Sequence, residues 1–225
     1  SVESSDALGN SVASETSAEY RVDTGIRAGE DGEDPITASV SGGDTTNDTT
    51  PTITGNTEPG ATISITNENG EVVGSGIADE NGEYSITLNE LPEGDNPLTV
   101  TAKDAAGNEA STTTEVTIDT TAEAGEVTLN PITADDVINA SESNSTITLS
   151  GTASGGDIAQ GDTVTFTIGD TTLTTEVDEN GEYSLEVDGS LLANETSVGV
   201  SVESSDALGN SVASETSAEY RVDTG

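Results

Sequence analysis

Short runs of alternating apolar and polar residues recur along the whole chain. In the segment STITLSG, Ile147 and Leu149 fall on one face, and in TVTFTIG the same holds for Val164, Phe166 and Ile168. A period of two is typical of strands with one buried face. Gly, Asn and Asp cluster between the runs, as turns require, and no segment has a sustained helical period. The same alternation predicts further buried positions at Ile63, Ile65, Tyr84, Ile86, Leu88, Leu98, Val100, Val116, Ile118, Tyr183, Leu185, Val187, Val198, Val200 and Val202.

The chain repeats itself at two levels. Residues 1–25 are identical to residues 201–225, which indicates a segment cut from a tandem array. We therefore expect two homologous modules at 26–120 and 121–225, preceded at 1–25 by the C-terminal strand fragment of another repeat. The finer repeat rests on three landmarks that recur in the same order: DENGEYS at 79–85 and 178–184, DAAGN at 104–108 with DALGN at 206–210, and TIDT at 117–120 with RVDT at 221–224.

Each module therefore has about seven short strands in about 100 residues, which is typical of an antiparallel sandwich of the immunoglobulin type. The cysteine pair and core tryptophan of antibody domains are missing, because the chain has no Cys and no Trp. The prediction is an all-β chain of tandem immunoglobulin-like antiparallel β-sandwiches.

The balance of charge excludes several classes of partner. The formal net charge is -40 at pH 7, and the basic residues are Arg21, Arg27, Lys103 and Arg221. Phosphate binding needs Lys and Arg, so nucleic acid is excluded as a partner, and an anionic membrane would repel the chain. Because no apolar run reaches transmembrane length, we expect no direct membrane contact.

The lack of His and Cys limits the chemistry that the chain can perform. No disulfide, thiolate site or ordinary zinc site can form, and the usual general base is missing. No nucleophile elbow is present, and no carboxylate pair lies in an apolar context that would shift its pKa. We therefore expect that the chain is not an enzyme. A hard cation with oxygen ligands is compatible with this composition.

Five segments resemble bacterial immunoglobulin-like repeats: NDTTPTITGNTEPGATISI, DENGEYSITL, TAKDAAGNEAS, VTIDTTA and ADDVINASESNSTITLSGTASG. Such repeats form the long central regions of giant RTX-type adhesins of Gram-negative bacteria, which are often exported by type I secretion. The resemblance implies an extracellular stalk on the bacterial surface that holds an adhesive tip away from the cell. In several relatives calcium stiffens the joints between domains, which implies calcium as the cofactor here.

The sandwich fold indicates where such calcium would bind. With strands lettered A to G, the FG loop lies where a module begins, and the AB loop lies beside the exit of strand G. Carboxylates about 4 Å apart repel by on the order of 1–4 kcal/mol, and calcium, with about six to eight oxygen ligands, converts this repulsion into attraction. The predicted ligands are Asp44, Asn47, Asp48, Asp119, Asp206 and Asn210 at the joint between the modules, Asp23, Asp104 and Asn108 at the joint before the first module, and Asp135, Asp136, Asn139, Glu142 and Asp223 at the end of the second.

Two further features bear on these joints. The BC loop of the second module adds Asp157 and Asp162 as candidates for the joint between the modules. The segment IRAGEDGEDP at 26–35 is not a tight linker, so nothing in it indicates a joint as compact as the one at 119–122.

Several acids also have a simpler interpretation as turn residues. Asp104 and Asp206 can cap turns that need a glycine with positive φ. The DENG segments at 79–82 and 178–181 are predicted as hairpin turns, because Asn-Gly between two strands is mainly a hairpin signal. The remaining acids are interpreted as solvated faces that keep a long polymer soluble.

The leading hypothesis for function is a structural extender whose partners are adjacent copies of the same repeat and calcium ions. The alternative is a ligand-binding adhesin module that recognises a sugar or a host surface. Residues 1–25 carry an apolar strip (Val12, Ala18, Tyr20, Val22) without the rest of their module, which predicts disorder or strand exchange with a neighbouring chain. Sugar sites usually offer an aromatic platform, but the aromatic residues here are expected in the core; they are Tyr20, Tyr84, Phe166, Tyr183 and Tyr220.

Overall fold

The structure is a computed structural model that describes residues 2–5, 11–14, 25–26 and 36–225. A 3-10 helix spans Glu142–Asn144, and a short α-helix, α1, spans Gly189–Leu192. Strands dominate, and the all-β prediction is confirmed. Within the described ranges, no helix is both long and apolar enough to cross a lipid bilayer. The strands are β1 (Val2–Ser5), β2 (Ser11–Ser14), β3 (Ser39–Val40), β4 (Thr45–Thr46), β5 (Thr52–Asn56), β6 (Thr62–Thr66), β7 (Val72–Ile77), β8 (Glu83–Thr87), β9 (Gly94–Lys103), β10 (Glu109–Ile118), β11 (Glu126–Leu129), β12 (Val137–Asn139), β13 (Thr146–Ser154), β14 (Thr163–Ile168), β15 (Thr171–Glu176), β16 (Glu182–Asp188), β17 (Ser197–Ser205), β18 (Ser211–Glu219) and β19 (Arg221–Asp223).

The contacts of the chain define two compact units. The loops 42–51 and 90–96, which fall in the first sequence module, group with the second unit, and strands β9 and β10 have residues in both. The module boundary near residue 120 stays a prediction. The first unit comprises Ser1–Ser41, Thr52–Asn89 and Pro97–Glu115, and the second comprises Gly42–Pro51, Glu90–Asn96 and Val116–Gly225.

The second unit contains an antiparallel sandwich. One sheet has the strand order β11-β13-β16, and the other has the order β15-β14-β17-β18. Phe166 of β14 and Tyr183 of β16 meet edge-to-face with ring centroids 5.6 Å apart, so the core lies between the sheets. Leu185 packs partly buried against this core. The other positions that the alternation predicts are buried as expected: Ile147, Leu149, Val164, Phe166, Ile168, Tyr183, Val187, Val198, Val200 and Val202.

The strands between residues 39 and 118 form two further sheets. The smaller sheet has the order β3-β5-β8, and the larger has the order β4-β10-β9-β6-β7. All described aromatic side chains of the chain are buried, so the expectation that they serve the core is confirmed for them. The apolar positions predicted for these strands are buried as well: Ile63, Ile65, Tyr84, Ile86, Leu88, Leu98, Val100, Val116 and Ile118.

The DENG segments are turns, but the prediction that they close hairpins is wrong. Asp79 Oδ1 accepts hydrogen bonds from the backbone N–H groups of Asn81 and Glu83, both at 2.8 Å. The same two bonds recur at Asp178. The strands beside each turn belong to different sheets, since β7 pairs with β6 whereas β8 pairs with β5. Each turn therefore carries the chain from one sheet to the other.

Strands β1 and β2 form a hairpin with the register of the identical segments of β17 and β18. Val2 lies opposite Ser14, just as Val202 lies opposite Ser214. The identical sequences thus form the same local pairing at two places in the chain. Exchange of residues 1–25 with a neighbouring chain stays a prediction, because most of the apolar strip lies outside the described residues, namely Ala18, Tyr20 and Val22.

Candidate functional site

Asp206 and Asn210 close the hairpin between β17 and β18. Asp206 Oδ1 accepts hydrogen bonds from the backbone N–H groups of Leu208 and Asn210, both at 2.9 Å. Its Oδ2 accepts a third bond from the side-chain amide of Asn210 at 2.7 Å. Gly209 has a φ of 88°, which glycine adopts without steric cost. The interpretation of this D-x-x-G-N motif as a capped turn is therefore confirmed.

These bonds keep the carboxylate of Asp206 ionised. Burial by itself would raise its pKa, but the hydrogen bonds from Asn210, Leu208 and Gly209 outweigh burial and lower the pKa below the ordinary value of 3.8. The side chain is half-buried. A negative charge is thus fixed in place at the tip of this hairpin.

The hairpin between β9 and β10 has the same construction. Asp104 accepts hydrogen bonds from the backbone N–H of Asn108 at 2.8 Å and from its side-chain amide at 2.7 Å. Asp104 is only 8% exposed, yet these bonds outweigh burial and lower its pKa. Asp23, its predicted partner at the joint before the first module, lies outside the described residues, so that joint stays a prediction.

The hairpin at 206–210 contacts two distant segments of the second unit. The side-chain amide of Asn210 donates to the carbonyl oxygen of Asp119 at 2.8 Å. The side-chain amide of Asn47 donates to the carbonyl oxygen of Leu208 at 2.9 Å. Residues separated by 161 and 91 positions along the chain therefore meet in one place. We call this pair of hydrogen bonds the amide clasp.

A parallel strand pair holds the other side of the amide clasp. In the pairing of β4 with β10, Thr46 lies opposite Ile118, and Asn47 and Asp119 directly follow these two residues. The backbone N–H of Asp119 donates to the carbonyl oxygen of Thr46 at 3.0 Å. The pair therefore presents Asn47 and Asp119 side by side to the hairpin.

Two further acids predicted for this joint, Asp44 and Asp48, lie in the loop 42–51, and Asp119 directly follows β10. Asp44 and Asp48 are exposed, and Asp119 is half-buried. Asp48 Oδ1 accepts hydrogen bonds from the backbone N–H and the hydroxyl of Thr50, at 2.8 and 2.9 Å. Both of these bonds use the same carboxylate oxygen.

The two BC-loop candidates are engaged in different ways. Asp157 Oδ2 accepts a hydrogen bond from the backbone N–H of Glu123 at 2.6 Å, which ties the BC loop to the segment that follows Asp119. Asp162 Oδ2 accepts from the backbone N–H of Ala159 at 2.8 Å and so caps its own loop. Asp157 is therefore the better placed of the two for a role at the joint.

Sequence reasoning missed two acids near the exit of β10. The carboxylate of Glu93 accepts hydrogen bonds from the backbone N–H of Thr120 at 3.2 Å and from its hydroxyl at 2.7 Å. Asp95 Oδ1 accepts from the hydroxyl of Thr117 at 2.8 Å. Both acids belong to NELPEGD, which follows β8 and runs into the start of β9, and that position in the strand order is the signal that identifies them.

The end of the second sandwich gathers most of its predicted residues. Asn139 lies opposite Asp223 in the parallel pairing of β12 with β19. Asn139 Oδ1 accepts a hydrogen bond from the backbone N–H of Glu142 at 3.0 Å, and Glu142 Oε2 accepts from the backbone N–H of Asn139 at 3.0 Å. Asp136 has a φ of 53° and its carbonyl accepts from β19, whereas Asp135 caps the turn just before β12.

The chemistry of these residues fits calcium better than a soft metal. Over the part of the chain that the structure describes, no three His, Cys, Asp or Glu side chains form a group that holds a metal ion. Calcium also accepts backbone carbonyl and amide oxygens, which such a group leaves out. The metal-ligand atoms that these residues offer are oxygens, namely those of the carboxylates of Asp119 and Asp206 and of the carbonyl of Leu208. The choice of ligands stays a prediction.

Solved structures similar to this chain include three from bacterial adhesins. The chain is similar to an adhesin of an Antarctic bacterium, described as Ca2+-stabilized and as helping the bacterium to reach out and bind ice; identity is 40%, the TM-score is 0.70, and the match covers 98% of this chain and 55% of that one. It is also similar to a 1.5-MDa bacterial ice-binding adhesin described for host cell surface retention, with 37% identity, a TM-score of 0.72, and coverage of 99% of this chain and 73% of that one. A bacterial immunoglobulin-like domain from the M. primoryensis ice-binding adhesin is 57% identical over 44% of this chain and 98% of its own length, with a TM-score of 0.44.

Two further comparisons complete the assignment. The family of bacterial Ig domains, Big_6, matches residues 40–120. The comparison with curated proteins found no match. The chain spans 55% of the first adhesin structure and 73% of the second, so it is similar to a part of each. The resemblance to repeats of large adhesins is thereby confirmed, and the chain belongs to the family of bacterial immunoglobulin-like domains.

Proposed function

We propose that the chain is an extender segment of a long bacterial surface adhesin and that its sandwiches, joined end to end, hold an adhesive tip away from the cell. The observation that supports this proposal best is the amide clasp, because it ties the loop 42–51 and the exit at Asp119 to the hairpin 206–210. The repeat of residues 1–25 at 201–225 also supports a role that depends on copy number. The chain acts outside the cell, and its partners are further copies of the same repeat.

Calcium is the cofactor that this proposal assigns to the joint. Asp119 and Asp206 bind it with their carboxylates, and Asp44 and Asp48 add oxygens from the exposed loop beside them. The ion supplies positive charge where a chain of formal net charge -40 gathers its acids. Calcium at about 100-fold above its dissociation constant stabilises the folded state by ~2.7 kcal/mol. The same ion restricts motion at the joint, since small interfaces between domains otherwise leave them mobile.

Thermal unfolding and small-angle scattering of the 225-residue chain test this function together. We expect the melting temperature to rise with calcium concentration, and the maximum dimension in solution to be greater in calcium than in EDTA. Magnesium at the same concentration is the control for general screening of charge, because it demands a stricter octahedral geometry. If both quantities are the same in EDTA and in calcium, the calcium-stiffened extender is excluded.

A matched pair of variants tests the location of the ion. Asp119→Asn removes one proposed ligand charge at the exit of β10. Asp170→Asn removes one exposed charge from the turn between β14 and β15. This turn follows Ile168, whereas the opposite end of β14, at Thr163, pairs with Glu203 near the hairpin 206–210. We expect the calcium-induced rise in melting temperature to shrink in the first variant and to remain in the second. An equal response of the two variants would place calcium elsewhere.

A further inference from the structure

The parallel strand pairs β4–β10 and β12–β19 present the same residue types at the same positions. In one pair, Asn139 lies opposite Asp223. In the other, the register continues from Thr46 opposite Ile118, so that Asn47 corresponds to Asn139 and Asp119 corresponds to Asp223. Each pair therefore ends in an asparagine beside an aspartate.

The backbone of the two strand pairs agrees as well. Thr117 N–H donates to the carbonyl oxygen of Asp44 at 2.7 Å in the first pair. Arg221 N–H donates to the carbonyl oxygen of Asp136 at 2.8 Å in the second. Asn139 is exposed, as is Asn47. The end of the second sandwich is thus built like the surface that already holds the hairpin 206–210.

The hairpins at 104–108 and 206–210 are also equivalent. In 104–108 and in 206–210, the backbone N–H of the aspartate donates to the carbonyl of the asparagine at 3.1 and 3.0 Å. The glycine N–H donates to the aspartate carbonyl at 3.2 and 3.3 Å, and the asparagine amide donates to the carboxylate at 2.7 Å in both. By position, the carbonyl of Ala106 corresponds to that of Leu208. Both hairpins therefore carry an asparagine amide and a backbone carbonyl at the same positions.

The amide clasp is reciprocal. The strand pair gives the amide of Asn47 and takes a bond at the carbonyl of Asp119, whereas the hairpin gives the amide of Asn210 and takes a bond at the carbonyl of Leu208. Each side of the amide clasp therefore supplies one amide donor and one carbonyl acceptor. Neither bond needs a metal ion, because both join a neutral amide to a neutral carbonyl.

We propose that Asn139 and Asp223 bind the hairpin 104–108 of a following copy of residues 26–225. The amide of Asn139 donates to the carbonyl of Ala106 in that copy, and the amide of Asn108 in that copy donates to the carbonyl of Asp223. This proposal rests on the extender function, and it names the element that sets the order of consecutive copies. The clasp aligns the joint before calcium binds.

The test uses a chain in which residues 1–225 are followed directly by a second copy of residues 26–225. The chain has no Cys, so spin labels can be attached at introduced cysteines. Ser75→Cys and Thr148→Cys replace exposed strand residues. A label at 148 in the first copy and a label at 75 in the second copy report the distance across the new joint. A pair at 75 and 148 within the first copy reports the joint at the amide clasp. All distance distributions are recorded in EDTA.

Asn139→Asp in the first copy is the informative variant. It removes the amide donor but keeps Oδ1, which accepts hydrogen bonds from the backbone N–H groups of Ser141 and Glu142 at 2.9 and 3.0 Å. We expect the distribution across the new joint to widen about twofold, because relative motion is the default for a small interface. Asn47→Asp in the first copy is the matched control. It should widen only the distance distribution between labels 75 and 148 within the first copy.

Two outcomes overturn the clasp: no widening of the distance distribution with Asn139→Asp, or equal widening at both joints by either variant. Melting of each variant in EDTA shows whether it is folded, and Asn139→Gln serves as a second variant if Asn139→Asp is not. The calcium experiment above is independent, since it compares calcium with EDTA in one chain. A clasp without a calcium effect, or a calcium effect without a clasp, is therefore a distinguishable result.

Discussion

The hydroxyl of Tyr183 donates a hydrogen bond to the carbonyl oxygen of Thr128 at 2.6 Å, across the position where Gly151 has no side chain. The same arrangement recurs around Tyr84 and Gly55. A Cβ on Gly151 would overlap the carbonyl oxygen of Thr128 and lie 2.5 Å from the tyrosine hydroxyl. Gly151 of β13 therefore leaves the space in which the hydroxyl of Tyr183 from β16 reaches the carbonyl oxygen of Thr128 from β11.

We predict that Gly151→Ala destabilises the protein by about 1–3 kcal/mol, because the new methyl group forces the neighbouring backbone to shift. Urea unfolding gives the change in the free energy of unfolding. Gly199→Ala is the matched control, since a Cβ there meets its nearest atom at 3.8 Å, an ordinary contact distance. We expect the control to be neutral or slightly stabilising. Equal effects at the two glycines would contradict the close approach.

The buried tyrosines should ionise at a higher pH than a tyrosine exposed to water. Burial raises the pKa of Tyr84, Tyr183 and Tyr220 to about 12, from an ordinary value of 10.0. A raised pKa means that the neutral phenol favours the folded state, so this stability is complete below pH 10.0 and is lost as the pH rises through about 12. The ultraviolet absorbance of tyrosinate measures it directly. We expect these three groups to ionise near pH 12 in the folded protein and near 10.0 in denaturant. Ionisation of all tyrosines near 10.0 in the folded protein would contradict the prediction.

Two isoleucines on paired strands separate the effect of burial from that of residue type. Ile63 on β6 is 0% exposed, whereas Ile77 on β7 is 70% exposed. Ile63→Ala should lower the free energy of unfolding by about 2–5 kcal/mol, through lost burial and a residual cavity. Ile77→Ala should change it by less than ~0.5 kcal/mol. Denaturant unfolding of both variants checks the pair, and a large loss at Ile77 would mean that this edge strand is covered in solution.

The positions of buried side chains could be predicted from the sequence because strand burial is a local property. Phe166 and its neighbours at i±2 lie on one face whatever the strand pairs with. The partner of a strand is not local in this sense. The turn that begins at Asp79 has the residues of a hairpin, yet packing of the whole domain sends the next strand to the other sheet. That is why the turn was predictable and the connection was not.

The candidate site also has a local part that the sequence predicts and a long-range part that it does not. The capped turn at Asp206 follows from the D-x-x-G-N motif, whose bonds lie within five residues. The meeting of Asn47 with Leu208 spans 161 positions, and the order of strands gives its neighbourhood but not its hydrogen bond. Glu93 was missed because the connection between β8 and β9 was not assigned to this end. Long-range contacts of this kind need the register of the strands, which alternation does not supply.

The carboxylate of Asp206 should make folding stability depend on pH in the acid range. Its folded pKa is below the ordinary 3.8, because hydrogen bonds from Asn210 and the hairpin backbone outweigh burial. A lowered pKa means that this contribution is complete above the unfolded pKa near 3.8 and disappears as the pH falls through the folded pKa. Asp206→Asn removes the charge with little change of shape. We therefore expect the parent chain to be more stable than the variant at neutral pH and the difference to vanish in acid.

Urea unfolding in EDTA, at constant ionic strength and a series of acidic and neutral pH values, measures this difference. EDTA keeps bound calcium from adding its own dependence on pH. Asn210→Ala is the companion variant, because it leaves the carboxylate but removes the donor at 2.7 Å. It should flatten the acid dependence in part, since the backbone N–H donors of Leu208 and Asn210 remain. If the difference between the parent and Asp206→Asn stays constant through the acid range, the hydrogen bonds of the hairpin do not hold this carboxylate in its ionised form.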